Sequence, residues 1–129
     1  MIIGVGTDIV GTERIGKLLD GARGEAFLRR VLSEAERAYM TEKRFPRART
    51  VEFVAGRWAA KEAVSKALGC GIGADVGFHD IQVLPDERGK PCCTVARDIA
   101  AGVRLHLSIS HADGWATAFA VAERSDETK

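Results

Sequence analysis

Asp8 closes the run Met1-Ile-Ile-Gly-Val-Gly-Thr-Asp8. On a strand, Gly4, Gly6 and Asp8 share one face, and Ile3, Val5 and Ile9 share the other. Two glycines leave a lane without side chains, open to a ligand or to another backbone. A carboxylate at the end of such a lane suits a hard metal ion; a turn aspartate bonded to its own backbone fits the same place. Glu62 and Lys66, in Trp58-Ala-Ala-Lys61-Glu62-Ala-Val-Ser-Lys66, are four apart and neighbours on a helix face. The small residues Ala55 and Ala59 beside them would let another element approach and part-bury the pair. Left exposed, it is an ion pair contributing about 0.2–0.5 kcal/mol. His111 has the parity of Val103, Leu105, Leu107 and Ile109, at the edge of an apolar face where an imidazole needs a partner. A structural histidine satisfies that description too; His106 faces outward and His79 falls in a loop. Gly69, Gly71 and Gly73 follow a helix and can expose N–H groups to a phosphate or a base. Phosphate cradles normally precede a helix, so a flexible connector explains these glycines equally well. Each group alone has an ordinary structural explanation. Their joint occurrence, in this order, points to a site.

The elements that must position these groups can be read from periodicity and capping. Residues 2–10 read as a strand. Thr12 is expected to cap a short helix through Leu19, closed by Gly21. Residues 25–31 form a further turn or short helix. Ser33 and Glu36 make a capping box that opens a helix to about Lys43, before Pro46 interrupts the chain. The longest helix is expected over Thr50 to Leu68, ending at Gly69, with Phe53, Ala60, Val64, Ala67 and Leu68 on one arc. Residues 80–85 and 91–95 form a hairpin, a short helix lies near 96–102, and strands 103–110 and 115–123 join through Asp113-Gly114. Unequal blocks of helix and strand give an α+β class: a small antiparallel sheet packed with one long central helix and shorter helices.

A length of 129 residues predicts one domain, 1–129, able to hide roughly two-thirds of its unfolded surface. With 46% hydrophobic and 29% charged residues, the composition excludes a disordered chain. No apolar run approaches the ~20 residues of a membrane span. The opening lacks a basic leader and meets Gly4, Gly6 and Asp8 at once, so it reads as a strand and not a signal peptide, and the cytoplasm is the expected compartment. Cys70, Cys92 and Cys93 have no ligand or disulfide spacing and read as small buried hydrophobes. The net charge of +1 hides an asymmetry: residues 12–49 hold ten Lys/Arg against six Asp/Glu, an excess of four. Such a surface favours an acidic partner or phosphate groups, or is simply a solvated helical face. Nucleic acid is disfavoured, because there is one Tyr and no basic motif interleaved with aromatics.

Four segments resemble, in order, the motifs of the holo-acyl-carrier-protein synthase family of phosphopantetheinyl transferases. MIIGVGTDIVGTERI is similar to the amino-terminal signature, with Gly4, Gly6, Asp8 and Arg14 in place; FVAGRWAAKEAVSKALG is similar to the WxxKEAxxKA motif, with Trp58, Lys61, Glu62, Ala63, Lys66 and Ala67 matching. GCGIG with FHDIQV and GKP, and finally LSISH, complete a resemblance from residue 1 to about residue 123. It implies the family's fold and transfer of phosphopantetheine from coenzyme A to a serine of apo-acyl carrier protein, releasing adenosine 3′,5′-bisphosphate, in support of fatty acid biosynthesis. It further implies Mg²⁺, with Mn²⁺ as the alternative, held by Asp8 and Glu62. Glu62, Lys66 and Asp8 become the expected catalytic residues: Glu62, directly or through water, as base, and Lys66 on the phosphate charge. Arg49, Arg57, Lys66, Gly69, Gly71, Gly73 and His111 are the implied coenzyme A contacts. Where the family has another basic residue this chain has Ala48, with Arg47 beside it. Arg14, Lys17, Arg23 and Arg30 are the implied carrier-protein contacts.

Members of the family resemble trimers with sites shared between subunits. Here Ala116, Ala118, Ala120 and Ala122 line one face of the last strand and Trp115, Phe119 and Val121 the other, so both faces are expected to be buried. Two rival readings remain at this point. A coenzyme A binding module without turnover would bind ligand but transfer nothing, and an oligomeric scaffold for acidic proteins would need neither metal nor coenzyme A.

Overall fold

The computed structural model describes residues 1–73 and 75–125; residue 74 and the last four residues of the expected domain lie outside the described residues. The elements run β1 (Ile2–Gly11), α1 (Thr12–Asp20), α2 (Gly24–Val31), α3 (Glu34–Lys43), α4 (Arg47–Ala67), β2 (Ile81–Pro85), β3 (Pro91–Val95), β4 (Val103–Ala112) and β5 (Trp115–Arg124). Short 3₁₀ turns at Phe78–Asp80 and Arg97–Ala100 complete them. All strand pairs are antiparallel, in a three-stranded sheet of order β1-β5-β4 and a separate β2-β3 hairpin. The α+β expectation holds.

Small side chains decide how α4 meets the sheet. Cross-strand rows on the inner face read Gly4–Ala122–Leu105, Gly6–Ala120–Leu107, Asp8–Ala118–Ile109 and Val10–Ala116–His111. The alanine row of β5 is buried, as are Ala55, Ala59, Ala60, Ala63 and Ala67 of α4. A Cβ on Gly4 would stand 1.9 Å from the Ala67 carbonyl oxygen, and one on Gly6 would stand 2.1 Å from that of Ala63. The glycine lane is therefore filled by helix backbone. That approach buries α4 on nearly all sides, not along the single arc expected: between residues 53 and 67 only Trp58, Glu62 and Lys66, each four apart, escape burial. The sheet fills one side of the helix, while α1, α2 and β2 take the others.

Several boundaries differ from expectation for local reasons. The N-cap of α1 is Gly11, because the Thr12 N–H, instead of needing a side-chain cap, donates to the Gly114 carbonyl at 2.9 Å. Helix α4 opens at Arg47, directly after Pro46, which lacks the N–H that a first turn leaves unbonded. The capping box on α3 is present: Glu36 N–H donates to Ser33 Oγ at 3.1 Å and Ser33 N–H to Glu36 Oε1 at 2.8 Å. Asp113 and Gly114, at φ 52° and 82°, form the two-residue turn that joins β4 to β5.

On the outer sheet face Ile3, Val5, Ile9, Trp115 and Phe119 are between 41% and 62% exposed in the single chain. The cysteines also divide: all three are free, but Cys92 is exposed while Cys93 sits against the core. Burial pushes the Cys93 thiol up to about 12, against the opposing pull of Lys61. A disulfide-exchange reagent at pH 8 is expected to label Cys92 quickly and Cys93 only after unfolding, checked by peptide mass mapping of timed aliquots. No helix among the described residues is long and apolar enough to cross a membrane.

Candidate active site

Asp8 stands in the third inner row of the sheet, and the absence of side chains at Gly4 and Gly6 brings α4 down onto it. Its backbone is held by β5, where Thr117 Oγ1 donates to the Asp8 carbonyl at 3.0 Å. Lys66 Nζ donates to the Thr7 carbonyl at 2.9 Å and meets Asp8 Oδ1 at 3.3 Å. The expected Glu62–Lys66 pairing is thus replaced by a cross-element pair between Lys66 and Asp8. Asp8 Oδ2 is buried with no hydrogen-bond partner. Glu62 shares the open seam of α4, and its carboxyl is pushed above the usual range, first by burial, then by the Asp8 charge, with Lys66 opposing.

An orphaned buried carboxylate oxygen beside a second carboxylate is an arrangement a divalent cation would satisfy. Among the described residues no three His, Cys, Asp or Glu side chains cluster in a metal-holding group. Two carboxylates suit an ion that completes its shell with water and substrate oxygens. Helix α4 ends at Ala67 with Leu68 as its C-cap, and Gly69 takes a φ of +87° that disfavours a side chain. A Cβ on Gly69, Gly71 or Gly73 would touch nothing within 4 Å, so this stretch leaves open space after the helix.

The remaining expected residues form a second group. His111 donates from Nε2–H to the Glu52 carbonyl at 2.9 Å. It rests over Gly56, where a Cβ would come within 3.1 Å of Nε2. Arg49 lies on the exposed first turns of α4, 4.6 Å over the Phe45 ring. Arg57 is only 8% exposed; its Nε donates to Val83's carbonyl at 3.2 Å and its guanidinium stacks 4.2 Å from Phe53. Burial lowers its pKa to about 10, with Glu36 opposing. Arg47 bonds the Gly16 carbonyl at 3.2 Å and pairs with Asp20. Thirteen residues of helix separate Arg49 from Glu62, roughly 20 Å along the axis. One chain therefore brings Asp8, Glu62 and Lys66 together but not Arg49.

The basic residues expected to meet a carrier sit near this open seam or beyond it. Arg14 lies 5.6 Å over the Trp58 ring, and Lys17 approaches Glu13 at 3.9 Å on exposed α1. Arg23 precedes α2, and Arg30 borders a groove of about 410 Å³ with Gly73, Phe78 and His79.

The comparison with known proteins decides the family. The model of the 4'-phosphopantetheinyl transferase superfamily matches residues 4–120. The chain belongs to this superfamily, among the holo-[acyl-carrier-protein] synthases. A holo-[acyl-carrier-protein] synthase of Geobacillus kaustophilus is 49% identical over 124 residues, 96% of this chain and 91% of that one. A Bacillus cereus relative of the same description is 49% identical over 125 residues, 97% and 98% of the two chains. A crystal structure of the Bacillus anthracis holo-(acyl-carrier-protein) synthase in complex with CoA (3',5'-ADP) superposes with a TM-score of 0.84 at 46% identity, over 97% of this chain and 99% of that one. The Helicobacter pylori protein in complex with coenzyme A gives 0.80 at 34% identity, covering 92% and 99%.

Within this transferase the sequence left two parts of the site unread. Glu36 is visible as a capping residue, yet its buried partner Lys61, at 2.6 Å, is not. The available signal was a lysine off the open seam of the helix, where only a paired charge survives burial. Gly56, which makes room for His111, gave no signal beyond being a glycine inside a helix.

Proposed function

We propose that this transferase moves phosphopantetheine from coenzyme A to a serine of apo-acyl carrier protein, in the cytoplasm, as a step serving fatty acid biosynthesis. The observation that carries the reading is the buried, unpartnered Asp8 Oδ2 beside Glu62 and Lys66 in a chain of this family. Asp8 and Glu62 would hold Mg²⁺, or Mn²⁺, which when bound supplies neutralisation of pyrophosphate charge. Glu62, with its raised proton affinity, takes the serine proton at its carboxylate. The serine oxygen forms its bond to the phosphorus attached to pantetheine. The bond from that phosphorus to the bridging oxygen breaks, and adenosine 3′,5′-bisphosphate leaves. Lys66, half exposed at the mouth of the site, stabilises charge on the bridging oxygen. Gly69, Gly71 and Gly73 leave the nucleotide open space, and Arg14, Lys17, Arg23 and Arg30 face the acidic carrier.

Arg49 and His111 would act on coenzyme A across a subunit boundary. The distance of Arg49 from Glu62 within one chain and the exposed apolar sheet face both support a homotrimer with shared sites. Arg57, engaged by Val83 and Phe53, supports that region from beneath the surface.

The test is intact-mass spectrometry of apo-acyl carrier protein incubated with the chain and coenzyme A, with Mg²⁺ or with chelator. A mass gain of one phosphopantetheine only in the presence of metal is expected. No gain with several carriers, alongside measurable coenzyme A binding, would favour a binding module instead.

A further inference from the structure

We propose that the buried Glu36–Lys61 pair, with Arg57, sets the rotation of α4 about its own axis and so aims Glu62 and Lys66 at Asp8. This rests on the reading of the site given above, and it assigns Glu36, Lys61 and Arg57 as positioning residues. Lys61 Nζ donates to Glu36 Oε1 at 2.6 Å and to the Val31 carbonyl, at the end of α2, at 2.8 Å. The same carboxylate accepts from the Ser33 N–H at 2.8 Å and, through Oε2, from the Val83 N–H at 2.7 Å. Both charged side chains are fully buried. One carboxylate thereby joins the start of α3, strand β2 and helix α4, while the lysine adds the end of α2.

Arg57 lies one turn before Lys61 and holds the same strand residue, Nε to the Val83 carbonyl at 3.2 Å. Val83 is therefore held through its N–H by way of Glu36 and through its C=O by Arg57. Two attachments one helical turn apart fix an orientation where one would allow swivelling. Lys61 and Glu62 are consecutive, about 100° apart around the axis, so a rotation at Lys61 is carried directly to Glu62.

The small-residue part of the sheet supplies little of this constraint. Strands β1 and β5 offer α4 Gly4, Gly6 and a row of alanines, against Ala55, Ala59, Ala63 and Ala67. Such surfaces fix how close the helix comes, but their ridges are shallow and register rotation poorly. Directional bonds to a buried carboxylate do register it, at a desolvation cost that an apolar pair would avoid.

The experiment uses the full chain with Glu36→Gln alone and with Glu36→Gln/Lys61→Met, read by Mn²⁺ binding in electron paramagnetic resonance and by steady-state kinetics well below each variant's melting temperature. The double variant is expected to fold, because both charges leave together, but to bind Mn²⁺ and turn over about tenfold more weakly. Its KM for coenzyme A should stay within about threefold of wild type, since outer-shell changes act chiefly on the metal and the chemistry. A purely structural role would lower the melting temperature and leave Mn²⁺ affinity and kcat per folded molecule unchanged, which overturns the proposal. If the double variant does not fold, wild-type Mn²⁺ affinity in Glu36→Gln overturns it equally. Loss of Mn²⁺ binding and transfer in the wild type itself would instead refute the site, not the positioning.

Discussion

Glu62→Gln and Asp8→Ala should each lower transfer by at least about a thousand-fold, a loss near 4 kcal/mol of barrier reduction, while leaving the melting temperature of the metal-free protein level or higher. The two carboxylates sit together without enough partners: one Asp8 oxygen is orphaned, and Glu62 is held above its normal range by burial first and Asp8 second. A carboxyl with a raised folded-state pKa binds its proton more tightly folded than unfolded. Its unfavourable contribution is absent below the unfolded value, grows as pH rises to the folded one and is constant above it. Relative to Glu62→Gln, wild-type protein should therefore gain stability as pH falls from neutral through the carboxylate range. Carrier-protein mass shifts measure the first effect and thermal melts at several pH values the second. Normal turnover in both variants would remove the metal assignment, and an unaltered pH profile would remove the electrostatic account of Glu62.

Gly6→Ala is expected to be the most damaging single methyl in the chain. Its Cβ would lie 2.1 Å from Ala63's carbonyl oxygen, 2.8 Å from Ala67's nitrogen and 2.9 Å from Lys66's Cβ. The first two are helix backbone and cannot swing aside, so β1 and α4 must part. Overpacking of this kind costs about 3 kcal/mol or more, roughly 10 °C of melting temperature at this chain length. Parting the two elements also draws Asp8 away from Lys66, so the folded fraction should be inactive as well as scarce. Gly71→Ala is the control, because its Cβ would meet nothing within 4 Å. Melting curves on the purified variants decide the matter; equal melting temperatures for Gly6→Ala and Gly71→Ala would contradict the packing described.

Periodicity and turn chemistry disclosed much of the architecture, because those signals are local. The Asp113-Gly114 turn, the Ser33–Glu36 box and the glycine lane of β1 each need only neighbours in sequence. Pairings that depend on distant backbone were not legible. Lys66 turns from Glu62 to Asp8, 58 residues away, and Thr12 needs no cap because Gly114 supplies a carbonyl. Arg57 read as a phosphate contact from its motif, yet its burial follows from the position of Val83, which no local pattern reveals. The roles of Asp8, Glu62 and Lys66 came from ordered motifs, since each alone had an ordinary explanation.

A seam of glycine and alanine leaves substitution only one direction in which to move. Where Gly4, Gly6 and the alanines of β5 meet α4, scarcely any atom remains to be removed, and every replacement adds volume. Elsewhere in a core, one side chain can shrink as its neighbour grows, and a lineage can drift through compensated pairs. Here no neighbour can shrink to compensate, so drift is confined to positions away from the seam. The geometry around Asp8 is in this sense insulated from history: the surface can be rewritten many times while the helix still lands on the same strand.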